Sequence, residues 1–186
     1  MHSLFQKLHR EHANLTHLLD ILESELNDFH AGRESNFDLK IELLEYIESH
    51  AEQYHHPLED ELFELAKNAC EISPATLARV SEQHRKLTGL AREFRESLEG
   101  IIQGDIVLRE EVEIEGRQFI AAQREHLNLE ERELFPALEA CLSPEELDRV
   151  AASRRNVADP LLGRNDPNRF RNLYRYLARH VGKDTG

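Results

Sequence analysis

The sequence holds only two cysteines, Cys70 and Cys141, and no C-x-x-C pair. That excludes a disulfide framework. Both cysteines stand outside the motifs described below. They are expected to be reduced thiols, packed as small apolar residues in a cytoplasmic protein. No stretch approaches the ~18 consecutive apolar residues of a membrane span. Met1–Gln6 lacks the basic-then-apolar pattern of a signal peptide. Positive charge is scarce: 23 Lys and Arg face 36 Asp and Glu, for a net charge of −13. That balance argues against general nucleic-acid binding. No segment alternates apolar and polar residues with a period of two, so no strand is expected.

What is present is helical periodicity. At 186 residues the chain can bury a core of its own. Leu4, Leu8, His12, Leu15, Leu19, Leu22 and Leu26 repeat at three- and four-residue steps and predict a helix over about Ser3–Phe29. A second helix is expected over about Asp38–Ala69, with Leu44, Ile47, Ala51, His55, Leu58 and Leu62 on its apolar stripe. Ser73-Pro74 is a helix start, a capping Ser followed by Pro at the first helical position. The third helix should run to Gly100 or Gly104 and the fourth over about Val107–Cys141, with a bend allowed at Gly116. Ser143 and Glu146 form a capping box that opens a short fifth helix. Asp159–Gly163 and Asn165–Pro167 read as loop, and Phe170–Val181 as a last amphipathic helix.

The expected fold is therefore all-α: an antiparallel up-down-up-down four-helix bundle of two pseudo-symmetric helical hairpins, with short C-terminal helices. Residues 1–142 make the bundle and 143–186 a helical extension packed on it. Nine Lys and Arg fall within 149–183 against Asp159 and Asp166, so this extension is expected to dock on its own acidic bundle.

The chain also repeats itself. E-H-A-N-L-T-H-L around His12 returns as Q-H-R-K-L-T-G-L around His84. A His with a Glu four residues later follows each: His55 with Glu59, 43 residues beyond His12, and His126 with Glu130, 42 residues beyond His84. Positions i and i+4 share a helix face. Each His interrupts an apolar stripe, so four imidazoles and two carboxylates should meet in one core. A buried carboxylate costs several kcal/mol unless it is paired or bound to metal. Imidazole with carboxylate suits Fe, Mn or Zn, and bridging carboxylates in a bundle core point to Fe first. The absence of thiolate from the set weighs against a structural zinc site.

The segments L-H-R-E-H-A-N-L, Y-H-H-P-L-E-D-E-L-F, E-Q-H-R-K-L and R-E-H-L-N-L-E-E-R-E-L-F-P resemble the hemerythrin-like, or HHE cation-binding, domain over about residues 4–142. The resemblance implies a four-helix bundle around two non-heme Fe ions, completed by an oxo or hydroxo bridge. It carries the metal ligands onto His12, His55, Glu59, His84, His126 and Glu130, with both Glu bridging. Two departures stand out from the O2-carrying members of the family. Position 88, where those have a second helix-3 His, is Thr, and the last pair is His-x-x-x-Glu rather than His-x-x-x-x-Asp. The fifth imidazole must come from His9, His30 or His56, or be replaced by solvent. His55 is preferred to its neighbour His56 on stripe position, and His56 would pair with Asp60. His50 lies off the stripe, and His2, His17 and His180 are expected to face solvent. Tyr54 could reach the site.

The function implied is binding of, or reaction with, a small ligand (O2, peroxide or NO) in oxygen, redox or nitrosative stress. Iron donation or iron–sulfur cluster repair is the alternative. A metal-free helical interaction module, working through the basic segment after Arg149, is the reading from a different class. The sequence leaves enzymatic turnover and oligomeric state open.

Overall fold

The computed structural model describes residues 1–153 and 169–180, and all its regular structure there is helical. The loop expected over 159–167 and the side chain of His180 lie outside what is described. The described residues form an all-α bundle of six helical rods. The first is α1 (Ser3–His30). The second joins α2 (Phe37–His50) to α3 (His56–Ala69) through a π-turn at Ala51–His55. Next comes α4 (Pro74–Gln103). The fourth rod joins α5 (Arg109–Leu129) to α6 (Phe135–Cys141) through a second π-turn at Glu130–Leu134. Two short helices follow, α7 (Pro144–Ser153) and α8 (Arg171–His180). Among the described residues no helix is long and apolar enough to cross a membrane.

The helix starts follow from their capping residues. Asn36 Oδ1 accepts from Leu39 N–H at 2.9 Å, and Ser73 Oγ accepts from Ala75 N–H at 3.2 Å. The Ser143–Glu146 box closes both ways, at 2.8 Å and 3.3 Å. His2 does not simply face solvent: its Nδ1 accepts from Leu4 N–H at 3.2 Å and caps α1. Helix α4 ends at Gly104, whose φ of +93° suits only a residue without Cβ. Gly116 serves packing rather than bending. A Cβ there would lie 2.8 Å from both Leu26 and Phe94, so glycine lets α5 approach α1 and α4 closely.

The core divides into two apolar clusters. One gathers Leu15, Leu19, Leu22, Leu26, Leu43, Ile47, Phe94, Leu98 and Phe119. The other gathers Leu4, Phe5, Leu8, Leu58, Leu62, Val80, Leu134, Phe135 and Leu138. The first-half and second-half histidines fall between the clusters along each helix, so a polar belt crosses the bundle.

Helix α7 packs on α1 and α3, and α8 packs on α2. Within the described residues α8 is seated by apolar burial and by a carboxylate at its N-terminus. Arg171, Arg175 and Arg179 are exposed, while Phe170 and Leu173 are buried and Glu42 accepts from the N–H groups of Asn172 and Leu173 at 2.7 and 2.8 Å. A carboxylate at a helix N-terminus satisfies orphan donors and complements the helix dipole.

The cysteines depart from expectation. They are not free buried thiols but a disulfide, Cys70–Cys141, half-buried, with Cα atoms 5.4 Å apart. Their 71-residue separation is also the one that relates His55 to His126 and Glu59 to Glu130, so they belong to the repeat after all.

Candidate metal centre

The polar belt is built by four rods. His12 comes from α1, His84 from α4, the His55/Glu59 pair from the second rod and the His126/Glu130 pair from the fourth. All six are buried, Glu59, His126 and Glu130 completely. Glu59 Oε1 lies 3.1 Å from His55 Nε2 and 3.6 Å from His12 Nε2, while its Oε2 lies 3.6 Å from His84 Nε2. Glu130 mirrors this, with Oε2 at 3.2 Å from His126 Nε2 and 3.4 Å from His12 Nε2, and Oε1 at 3.7 Å from His84 Nε2. Each carboxylate thus turns one oxygen toward His12 and the other toward His84.

The belt contains a seventh donor, His56. Donor atoms of His12, His55, Glu59 and Glu130 lie within 4.8 Å of one another, and so do those of His56, Glu59, His84 and His126. In a regular helix His55 and His56 would point about 100° apart. The π-turn changes that by inserting one residue, and the His56 N–H reaches back five residues to Ala51 O. Its cause is local. Pro57 has no N–H, and its ring would collide with the carbonyl four residues earlier. The second π-turn, with Phe135 N–H reaching Glu130 O, also ends two residues before a proline, Pro136. The two turns are not equivalent, however. The first ends at His55 and brings in an extra imidazole, whereas the second begins at Glu130 and brings in none. The His56 ring stacks on His84 at 3.8 Å and meets His126 edge-on at 5.6 Å. Thr88 and Ala91 line the small cavity beside it. The imidazole missing at position 88 is matched by one arriving from α3.

The other candidates fall outside the belt. His30 pairs with Glu113 and is largely exposed. His9 bonds Glu131 at 2.7 Å and stands behind His12. His17 is exposed, as expected. His50 is buried, its ring 5.7 Å from that of His55, and Tyr54 stacks beyond it at 6.0 Å.

An outer layer of carboxylates orients the imidazoles. Glu131 accepts from His12 Nδ1–H at 2.8 Å, Glu11 from His55 Nδ1–H at 3.0 Å, and Asp60 faces His84 Nδ1 at 3.5 Å rather than pairing with His56. A carboxylate can only accept, so the proton sits on Nδ1 and Nε2 faces the belt. Glu131 and Glu11 are not apparent from the sequence and Asp60 is expected beside His56 rather than His84, although the doublets Glu59-Asp60 and Glu130-Glu131 carry the signal for two of the three. The first acid of each doublet turns inward. The second crosses to the lone His of the other half.

Charges respond accordingly. Burial pulls the His55 imidazole down, but Glu59, Glu11 and Glu130 outweigh it and push its pKa up to about 10. His84 rises to about 9 against burial, through Asp60, Glu130 and Glu59. His126, buried with no backing carboxylate, falls to about 3, and burial together with the neighbouring His84 holds His56 well below its ordinary value. Of the two facing carboxylates, Glu59 stays ionised against burial beside His55 and His12, and burial next to Glu59 raises Glu130.

All four carboxylate oxygens of Glu59 and Glu130 are buried without a hydrogen-bond partner, as are Nε2 of His56, His84 and His126. Buried polar atoms are otherwise almost always bonded. A donor set of imidazole nitrogens and carboxylate oxygens fits borderline cations.

A helical bundle crossed by such a belt defines a metal-binding bundle protein. The chain belongs to the hemerythrin HHE cation-binding domain family, which matches residues 3–138. No curated protein and no solved structure matches the chain.

Proposed function

We propose that His12, His55, Glu59 and Glu130 hold one iron ion, that His56, His84, His126 and Glu59 hold a second, and that Glu130 reaches both. The carrying observation is two fully buried carboxylates whose four oxygens have no hydrogen-bond partner and lie among imidazole nitrogens. When bound, the iron pair supplies binding or reduction of O2, peroxide or NO, a role in oxygen, redox or nitrosative stress within the cytoplasm. The chain's own part is to hold the donors in place. Glu131, Glu11 and Asp60 keep the Nδ1 protons in position, so each Nε2 faces the belt, and in His55 and His84 the metal would displace the second proton from it. The two apolar clusters keep bulk water away from the belt. A groove of about 720 Å³, lined by Phe63, Leu77, Lys67 and Arg85, ends on His84, and a second of about 450 Å³ reaches His12 and Glu131.

A second reading, iron donation or iron–sulfur cluster repair, draws support from His84. It is the least buried donor and has the most distant backing acid. Two facing carboxylates, fully buried with no hydrogen bond, weigh against a metal-free interaction module, because such groups are costly when incompletely satisfied.

Elemental analysis of protein expressed with ample iron should find about two irons per chain, as in other two-carboxylate bundle cores. Its absorption bands should be lost with dithionite and return in air. His126→Ala or Glu130→Ala should strip iron while His17→Ala, an exposed control, keeps it. Equal iron in all three would overturn the assignment.

A further inference from the structure

We infer that Cys70 and Cys141 form a second redox site, a thiol–disulfide couple whose state sets how firmly the two carboxylate-bearing rods hold their metal. The inference rests on the iron reading above and adds a regulator to it. Its first support is placement. Cys70 lies eleven residues beyond Glu59, and Cys141 eleven residues beyond Glu130. Eleven residues of helix span about 16 Å, so the crosslink stands roughly three turns along each rod from its carboxylate.

The second support is what lies between. Leu62, Phe63 and Ala66 on α3, and Leu134, Phe135 and Leu138 along the other rod, belong to one apolar cluster, with Cys70 and Cys141 packed against it. α3 and α6 touch each other there. Close-packed interiors transmit displacement. Holding the rod ends together therefore holds Glu59 and Glu130 at their separation, and releasing the ends relaxes it.

The third support is access and need. Both cysteines are half-buried, within reach of a small thiol. A chain of this length with two full apolar clusters has a core without a staple. In a reducing compartment a persistent disulfide is exceptional, and those that form are mostly catalytic or sensing. In the reducing direction the Sγ–Sγ bond breaks. Two low-molecular-weight thiols supply two electrons and two protons and leave as their own disulfide, and two cysteine thiols remain. In the oxidising direction hydrogen peroxide takes the two electrons and the two thiol hydrogens, leaves as two waters, and the bond re-forms.

The test uses the full chain loaded anaerobically with ferrous iron. Release to a chromogenic ferrous chelator is timed before and after treatment with a phosphine reductant, and again for the double variant Cys70→Ser/Cys141→Ser. Reduction should speed release by about tenfold, the size of an outer-layer effect on metal affinity. The double variant should release at the fast rate with or without reductant. Equal rates in all states would overturn the inference. So would reactive thiols that persist after mild peroxide treatment. Failure of the iron reading shows separately, as no iron in either state. The clamp is then judged on the metal-free chain, where reduction must speed hydrogen exchange along α3 and α6, and unchanged exchange overturns it.

Discussion

On one side of the belt both imidazoles are backed by acids, His12 by Glu131 at 2.8 Å and His55 by Glu11 at 3.0 Å. On the other side only His84 has such a neighbour among the described residues, Asp60 at 3.5 Å, and burial together with neighbouring imidazoles holds His56 and His126 down. The first side is tuned by charge, because a backing carboxylate orients the ring and raises its basicity. The second has a single, more distant backing acid and is tuned instead by a third imidazole. Two copies of one sequence motif have thus been finished by different physics. The charge-tuned side should be the firm holder of metal, and the His84 side, with its less buried donors, the one that exchanges or reacts.

The largest expected effect erases this difference. Glu59 faces both sides, so Glu59→Ala should cost both metal ions. It also leaves His55 without its main counter-charge, and removing one partner of a buried pair costs about 3–5 kcal/mol. Elemental analysis and thermal unfolding read the two losses, and a protein that keeps one ion would show the sides to be independent.

His56→Ala should act on one side alone. About half the metal should remain, held by the His12/His55 side. Unchanged metal content would mean that His56 only packs against His84.

Smaller again are the outer acids. Glu131→Gln should weaken metal binding 10–100-fold, the usual worth of an outer-layer partner. Asp60→Asn should do less, since its contact is longer. Competition with a chelator of known affinity measures both, and an equal effect would end the distinction between the sides.

The mildest effect is the pH response of the metal-free chain. The folded values of His55 and His84, about 10 and about 9, lie above the ordinary ~6.5 of an unfolded imidazole. Their contribution is complete below pH ~6.5 and disappears as pH rises through 9 to 10. Thermal unfolding between pH 7 and 10 should show that decline. His12→Ala should leave it largely in place, and a flat profile would contradict the charge pattern of the belt.

Much of this was readable in the sequence, because burial leaves a periodic trace. Leu8, His12, Leu15 and their counterparts place a histidine on an apolar stripe in every long helix, and the i, i+4 spacing does the rest. Capping at Ser73 and Ser143 is chemistry confined to three or four residues, equally local. The π-turns left no such trace. One inserted residue changes which face follows it without disturbing hydrophobicity, and only Pro57 and Pro136 hinted at it. His56 was therefore weighed against His55 when both belong to the belt. The outer acids and the disulfide depend on which rods meet, a tertiary fact, even though the acidic doublets and the 71-residue spacing were in plain view. Gly116 was judged by its helix propensity, when the side chains of Leu26 and Phe94 decide its role.

The Cys70–Cys141 bond has a topological consequence as well. It closes the chain from 70 to 141 into a covalent ring that contains His84, His126 and Glu130. The turn between α4 and α5 lies on that ring, and Ile106 in it is 98% exposed, an open invitation to proteases. A cut there opens the ring without dividing the molecule. The oxidised protein can be nicked at this exposed turn and still keep every donor of the belt on one connected chain, a resilience the reduced form lacks.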